Sequence, residues 1–182
     1  MRIDVPAATG IGYSMAKKQS ESKVTEPKAK PTFEPRIVVF ACNWCSYPAA
    51  DNAGLARMQY PANIRIIRVM CGGRVNPAFV LRAFELGADA VLVSTCHFQD
   101  CHYMFGARRA AENYERLDNI VKLLGLEKER MRLEWISAAE ATKFAKVIRE
   151  MTEEVRKVGP SPIKPNGKPQ PLPDRIEETT VA

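Results

Sequence analysis

Five cysteines stand in three groups along this chain of 182 residues. Cys42 and Cys45 frame Cys42-Asn-Trp-Cys45, Cys71 precedes Gly72-Gly73, and Cys96 and Cys101 frame Cys96-His-Phe-Gln-Asp-Cys101. Thiolates are soft ligands, and four of them hold either a zinc ion or an iron-sulfur cluster. Two intervening residues let Cys42 and Cys45 chelate one metal centre. Neither local pair is specific by itself, but together with Cys71 they become so. A lone cysteine at a strand end is more often a small buried hydrophobe than a ligand, so the argument rests on the set. An odd number of thiols in a cytosolic chain argues against a structural disulfide framework and leaves metal binding or thiol chemistry.

Three kinds of chemistry stay open on the residues alone. Zinc is satisfied by four thiolates, or by thiolates with His97 or His102, although the usual two C-x-x-C pairs are absent. For a cluster, the backbone N–H groups of Gly72-Gly73 beside Cys71 offer the hydrogen bonds to sulfur that tune its potential. A thioredoxin-type couple uses a C-x-x-C after a strand, where Cys42 and Cys45 lie, but the three other cysteines count against it. Cys71-Gly-Gly-Arg74 lacks the arginine spacing of a cysteine-phosphatase loop. His97 and His102, which bracket Asp100, read as hydrogen-bonding or loop-packing residues rather than ligands. Trp44, Tyr47 and Tyr103 are the expected shield against water.

Positioning these residues requires strands, and four short apolar runs supply them: residues 36–41, 64–70, 90–94 and 132–136. Helical stretches alternate with them at about 50–59, 77–86, 105–124 and 138–157. The second helix is opened by Asn76 as cap with Pro77 at the first position, and the last by a capping-box spacing of Ser137 and Glu140. Such alternation implies βαβ units and a parallel sheet covered by helices on both faces, a four-stranded, flavodoxin-like three-layer α/β sandwich. Arg65 and Arg68 interrupt the second strand and mark it as an edge. All five cysteines then fall beyond the carboxyl ends of parallel strands, the side on which open α/β sheets bind ligands. No G-x-G-x-x-G follows the first strand, so a bound nucleotide is not expected; Thr9-Gly10-Ile11-Gly12 has no strand before it.

The chain ends differ from this unit. Residues 1–35, rich in Lys, Ser, Pro and Glu, read as an arm, and residues 159–182, with repeated prolines, as an extended tail. The folded unit is expected over 36–158. No window carries the roughly 18 apolar residues of a membrane helix, and the amino terminus lacks a secretory pattern. A soluble, cytoplasmic protein is expected. The net charge of +6 is spread among acidic residues along the helices rather than gathered in a block. It reads as a solvated or partner-facing surface, not a nucleic-acid site.

The segments FACNWCSYPAADNAG and IRVMCGGRVNPAFVLRAFELGADAVLVSTCHFQDCHY resemble the delta subunit of methyl-viologen-reducing hydrogenase across nearly all of 36–158. The resemblance implies a small, non-catalytic subunit carrying a 2Fe-2S cluster on four of Cys42, Cys45, Cys71, Cys96 and Cys101. It further implies that the subunit relays electrons from a nickel-iron hydrogenase or formate dehydrogenase to the flavin-bearing A subunit of heterodisulfide reductase, the site of electron bifurcation in methanogens. The long amino-terminal arm departs from the family pattern, and wrapping of a neighbouring subunit is the expectation for it.

Overall fold

A computed structural model describes residues 33–163. Most of the arm expected over 1–35 and of the tail expected over 159–182 lies outside the described residues. Four strands, β1 (Ile37–Cys42), β2 (Ile64–Val69), β3 (Ala90–Thr95) and β4 (Met131–Trp135), alternate with α1 (Ser46–Leu55), α2 (Pro77–Glu85), α3 (Gly106–Leu123) and α4 (Ala141–Val158). Every strand pair is parallel and the order is β2-β1-β3-β4. The expected three-layer α/β architecture is what forms.

Burial follows strand position. The central strand β3 is buried at every residue, whereas β2 alternates and leaves Arg65 and Arg68 exposed, as an edge strand with one open flank should. On one face Ile37, Val39, Ala41, Ala90 and Leu92 pack against α1 and α4 through Ala49, Ala53, Phe144, Ile148 and Met151. On the other, Phe40, Val91 and Val93 meet Val80 and Phe84 of α2 and Leu117 and Val121 of α3. The small residues of α1 bring its axis close to the sheet, and the bulk of α4 fills the remaining space.

Helix boundaries show which local rules prevail. Asn76 caps α2 as expected, its side chain accepting from the Ala78 N–H at 2.9 Å. α1 starts at Ser46 rather than near residue 50, because Pro48 falls in the first turn, where a missing N–H costs nothing. α4 starts at Ala141, later than expected, with Glu140 as its cap residue. Half of the expected capping box is present: the Glu140 carboxylate accepts the Ser137 N–H at 2.7 Å. The Ser137 hydroxyl caps nothing.

The packed chain reaches a few residues beyond 36 and 158. A compact unit begins at Phe33, which lies against the α1/α4 core, and Ile163 lies against the α2/α3 core. A polar knot holds these ends at the amino side of the sheet. The fully buried Asp89 accepts from the backbone N–H groups of Arg36 and Ser161 at 2.8 and 3.0 Å. Arg130, also buried, donates to the carbonyls of Asp89, Gly159 and Pro160 at 3.2, 3.0 and 3.0 Å and pairs with Glu127. Among the described residues no helix is long and apolar enough to cross a membrane.

Candidate sulfur site

A β2-β1-β3-β4 order makes the chain leave β1 toward one edge and return to the other side through β3, so the loops after β1 and β3 diverge and leave a crevice between them. The sulfurs gather at this switch point. Cys42 ends β1 and Cys96 follows β3, and their Sγ atoms lie 3.5 Å apart. Cys45, the residue before α1, pairs with Cys96 as a disulfide with Cα atoms 5.3 Å apart, whereas the sequence argues against a structural disulfide framework and points to Cys42 with Cys45 for a thiol couple. Cys42 and Cys45, the two members of the C-x-x-C, are therefore not joined to each other.

Cys71 and Cys101 complete the group from the side of α3. Gly106 separates them by having no side chain: a Cβ there would lie 2.2 Å from the Cys71 Sγ and 3.2 Å from the Cys101 Sγ. All five cysteines are buried, each less than a tenth exposed. Among the described residues, however, no group of three or more His, Cys, Asp or Glu side chains is arranged to hold a metal ion. Sulfur instead rests on sulfur.

Helix starts supply positive backbone charge around these sulfurs. The Ala107 N–H, at the start of α3, donates to the Cys101 Sγ at 3.3 Å, and Cys45 stands at the position before α1. Burial raises the Cys71 thiol above its ordinary value. The Gly73 N–H opposes that rise, the neighbouring sulfurs of Cys42 and Cys101 add to it, and the Arg74 N–H again lowers it. Gly73 thus provides the backbone donor expected beside Cys71, and Arg74 rather than Gly72 provides the second.

The two histidines are otherwise engaged. His97 Nε2 lies 2.7 Å from the Glu140 Oε2. The Glu140 carboxyl is held below its usual range by the Ser137 N–H first and by His97 second. His102 stacks on Trp44, with ring centroids 3.8 Å apart. Trp44 donates to the Tyr103 hydroxyl at 3.1 Å, forming an aromatic rim over the loops that carry Cys45 and Cys101. Tyr47 does not join this rim. It packs against the α1/α4 core with the Arg68 guanidinium 5.3 Å from its ring.

Several site features were not anticipated from the sequence. Trp135, at the end of β4, packs on the sulfurs, with Phe98 against it at 4.5 Å. Gly106 carried a readable signal, a glycine where a cysteine loop enters a basic helix. Ser94 Oγ and Thr95 Oγ1, buried beside Cys96, have no hydrogen-bond partner, and Thr95 lies against Gly72, where a Cβ would come 2.5 Å from its Oγ1.

Among the described residues, a parallel α/β sheet gathers five cysteines at its switch point, which makes this a cysteine-rich α/β domain. The chain belongs to the family of the methyl-viologen-reducing hydrogenase delta subunit, whose profile matches residues 37–159. It is 49% identical over 138 residues to the iron-sulfur D subunit of the vhc F420-non-reducing hydrogenase of Methanococcus voltae, covering 74% of this chain and 93% of that protein. It is 48% identical over 128 residues to the iron-sulfur D subunit of the F420-non-reducing hydrogenase of Archaeoglobus profundus, covering 70% and 93%. A third relative is the A subunit of the ferredoxin:CoB-CoM heterodisulfide reductase of Methanosarcina mazei, 48% identical over 126 residues. The match there covers 69% of this chain but 16% of that protein, so the same domain is one segment of a much longer polypeptide.

Proposed function

We propose that this chain is a cytoplasmic electron-transfer subunit that carries one 2Fe-2S cluster on four of Cys42, Cys45, Cys71, Cys96 and Cys101. It passes electrons from a hydrogenase or formate dehydrogenase to the flavin-bearing A subunit of heterodisulfide reductase in an electron-bifurcating assembly, and catalyses nothing by itself. The observation that carries this reading is the convergence of five buried sulfurs at one switch point. Two of the relatives are named as iron-sulfur subunits. The Methanosarcina mazei relative, in which the domain is a segment of the reductase polypeptide, supports close association of the two, since a covalent link turns docking into an intramolecular event.

The donor set has the chemistry such a group takes: cysteine sulfurs, with Gly106 admitting the Cys71 Sγ into the place a side chain would fill, next to Cys101. A bound cluster supplies a site that gains and loses one electron. The chain's own contributions are specific. The N–H groups of Gly73 and Arg74 lower the Cys71 thiol against the effect of its burial, the Ala107 N–H donates to the Cys101 Sγ, Trp135 packs on the sulfurs, and Glu140 engages His97. For four of the five sulfurs to hold the group, the Cys45–Cys96 pair would have to be in the dithiol form, reached by exchange with an added dithiol that gives up two electrons and two protons and closes to its own disulfide.

That pairing favours a second reading, a thiol–disulfide couple. One preparation separates the readings: iron, zinc and acid-labile sulfide content of anaerobically purified chain, with visible absorption before and after dithionite. Two irons and two sulfides per chain with bleaching on reduction are expected. Zinc without sulfide indicates a structural module, and a metal-free, thiol-active protein indicates the couple.

A further inference from the structure

Beside the sulfurs, between the Cys71 turn and the start of α3, lies an open cleft of about 820 Å³ with Cys71 in its wall. Its apolar lining is turned to water: Met70, Phe79 and Phe105 are each more than half exposed. The five large aromatic side chains exposed among the described residues, Trp44, Phe79, Phe98, Tyr103 and Phe105, all belong to this end of the sheet. Met104, between Tyr103 and Phe105, holds a φ of 58° and is itself exposed. A left-handed methionine costs energy, and here it accompanies outward projection of its neighbours.

The polar part of the cleft narrows the choice of occupant. Asn76 is used as the cap of α2, and Asn113 donates to the carbonyls of Gly73 and Val75 at 3.4 and 3.3 Å. The remaining polar side chains of the lining are the exposed guanidinium groups of Arg74 and Arg109 and the rim hydroxyl of Tyr103. Neither arginine has a carboxylate partner among the described residues, in contrast to Arg82, Arg130, Arg132 and Arg156. The two stretches that form the cleft, 70–84 and 101–111, contain four arginines and no Asp, Glu or Lys. A small anion would leave the apolar walls in water, and a nucleic-acid strand would find too few cations to track its phosphates. Aromatic, Met and Arg side chains around a concave patch are instead the composition of a protein interface core.

We propose that this cleft is the docking site for an acidic polypeptide segment with an apolar anchor side chain. The segment's carboxylates meet Arg74 and Arg109, and its anchor seats among Met70, Phe79 and Phe105. Resting on the electron-transfer reading above, we assign that segment to the flavin-bearing polypeptide of heterodisulfide reductase. Docking there brings the partner directly against the wall that contains Cys71, so the contact and the route for electrons coincide.

The test uses the full-length chain and the purified flavin-bearing reductase polypeptide, with binding followed by biolayer interferometry across ionic strength and iron and sulfide measured on each preparation. Arg109→Glu and, separately, Phe79→Ser are compared with Lys157→Glu, an equal charge reversal at the amino end of the sheet. Affinity is expected to fall at least about tenfold for the two cleft variants, with Lys157→Glu near wild type and the salt dependence of binding reduced by Arg109→Glu. Wild-type affinity in both cleft variants overturns the assignment, as does absence of binding by the unaltered chain. Loss of self-association in the cleft variants with the reductase polypeptide still bound overturns it too, because the occupant is then a second copy. The two proposals fail separately. Reductase binding that depends on the cleft, in a chain without iron and sulfide, removes the electron-transfer reading alone; an iron-loaded chain indifferent to the cleft variants removes the docking site alone.

Discussion

The two ends of the parallel sheet solve opposite problems. At the amino end Asp89 and Arg130 are buried charges, and the backbone groups around them complete their hydrogen bonds: Asp89 receives two N–H groups, and Arg130 serves three carbonyls and one carboxylate. At the carboxyl end the buried groups are under-used. Five cysteine sulfurs crowd together, and the hydroxyls of Ser94 and Thr95 have no partner. A buried polar group costs free energy unless it is satisfied. The amino end is therefore built for stability, tying chain entry and exit to the sheet, whereas the carboxyl end keeps unspent bonding capacity where ligands of α/β sheets bind.

The largest expected effect breaks the stable end. Arg130→Ala removes the donor to the carbonyls of Asp89, Gly159 and Pro160 and leaves a void where a fully buried side chain stood. A loss of about 3–5 kcal/mol is expected. Urea unfolding of the reduced chain measures it, and a loss below about 1 kcal/mol would mean that the knot contributes little.

Gly106→Ala acts on the other end, with a different signature. The added Cβ meets the Cys71 Sγ at 2.2 Å and drives that sulfur away from Cys101. The stability cost of such overpacking is about 1–3 kcal/mol. Iron and sulfide content should fall by much more than that cost implies. Full iron content in Gly106→Ala would show that Cys71 is the thiol not needed.

Thr95→Val sharpens the contrast by going against the usual sign. Replacing a buried hydroxyl that has no partner by a methyl group of similar shape should be neutral or stabilise the metal-free chain by up to about 1 kcal/mol. Destabilisation beyond about 1 kcal/mol would reveal a hydrogen bond at Thr95 and weaken the distinction between the two ends.

The sequence made one end far more legible than the other. Strand runs with cysteines at their carboxyl ends place the sulfur site before any coordinates exist, because topology brings such loops together whatever their spacing. Asn76-Pro77 and the arginines of β2 were readable for the same reason: each reports a local rule. The knot was not readable, since Asp89 looks like a turn residue before a strand and Arg130 like a surface cation after a helix; their burial depends on Ser161 and Gly159 returning to the same place. Tyr47 was misplaced because a residue in a first helical turn can face the loop or the sheet, and only packing against the α1/α4 core decides.

The smallest effect concerns Glu127, the exposed edge of the knot. Its hydrogen bond with the Arg130 guanidinium holds the carboxyl below its ordinary value, against a smaller opposing effect of burial. The folded-state pKa is thus lower than the unfolded one. The stabilisation is present above the unfolded value and disappears as pH falls through the lowered folded value. Because the Glu127 side chain is 44% exposed, solvent screening limits the contribution to about 0.5 kcal/mol or less. Glu127→Gln should therefore flatten the acid limb of the stability curve while changing stability at neutral pH by no more than that amount. A shift as large as that of Arg130→Ala would show that the ion pair, rather than the three carbonyl contacts, holds Arg130 inside, and would move the centre of the knot from the buried backbone to its surface.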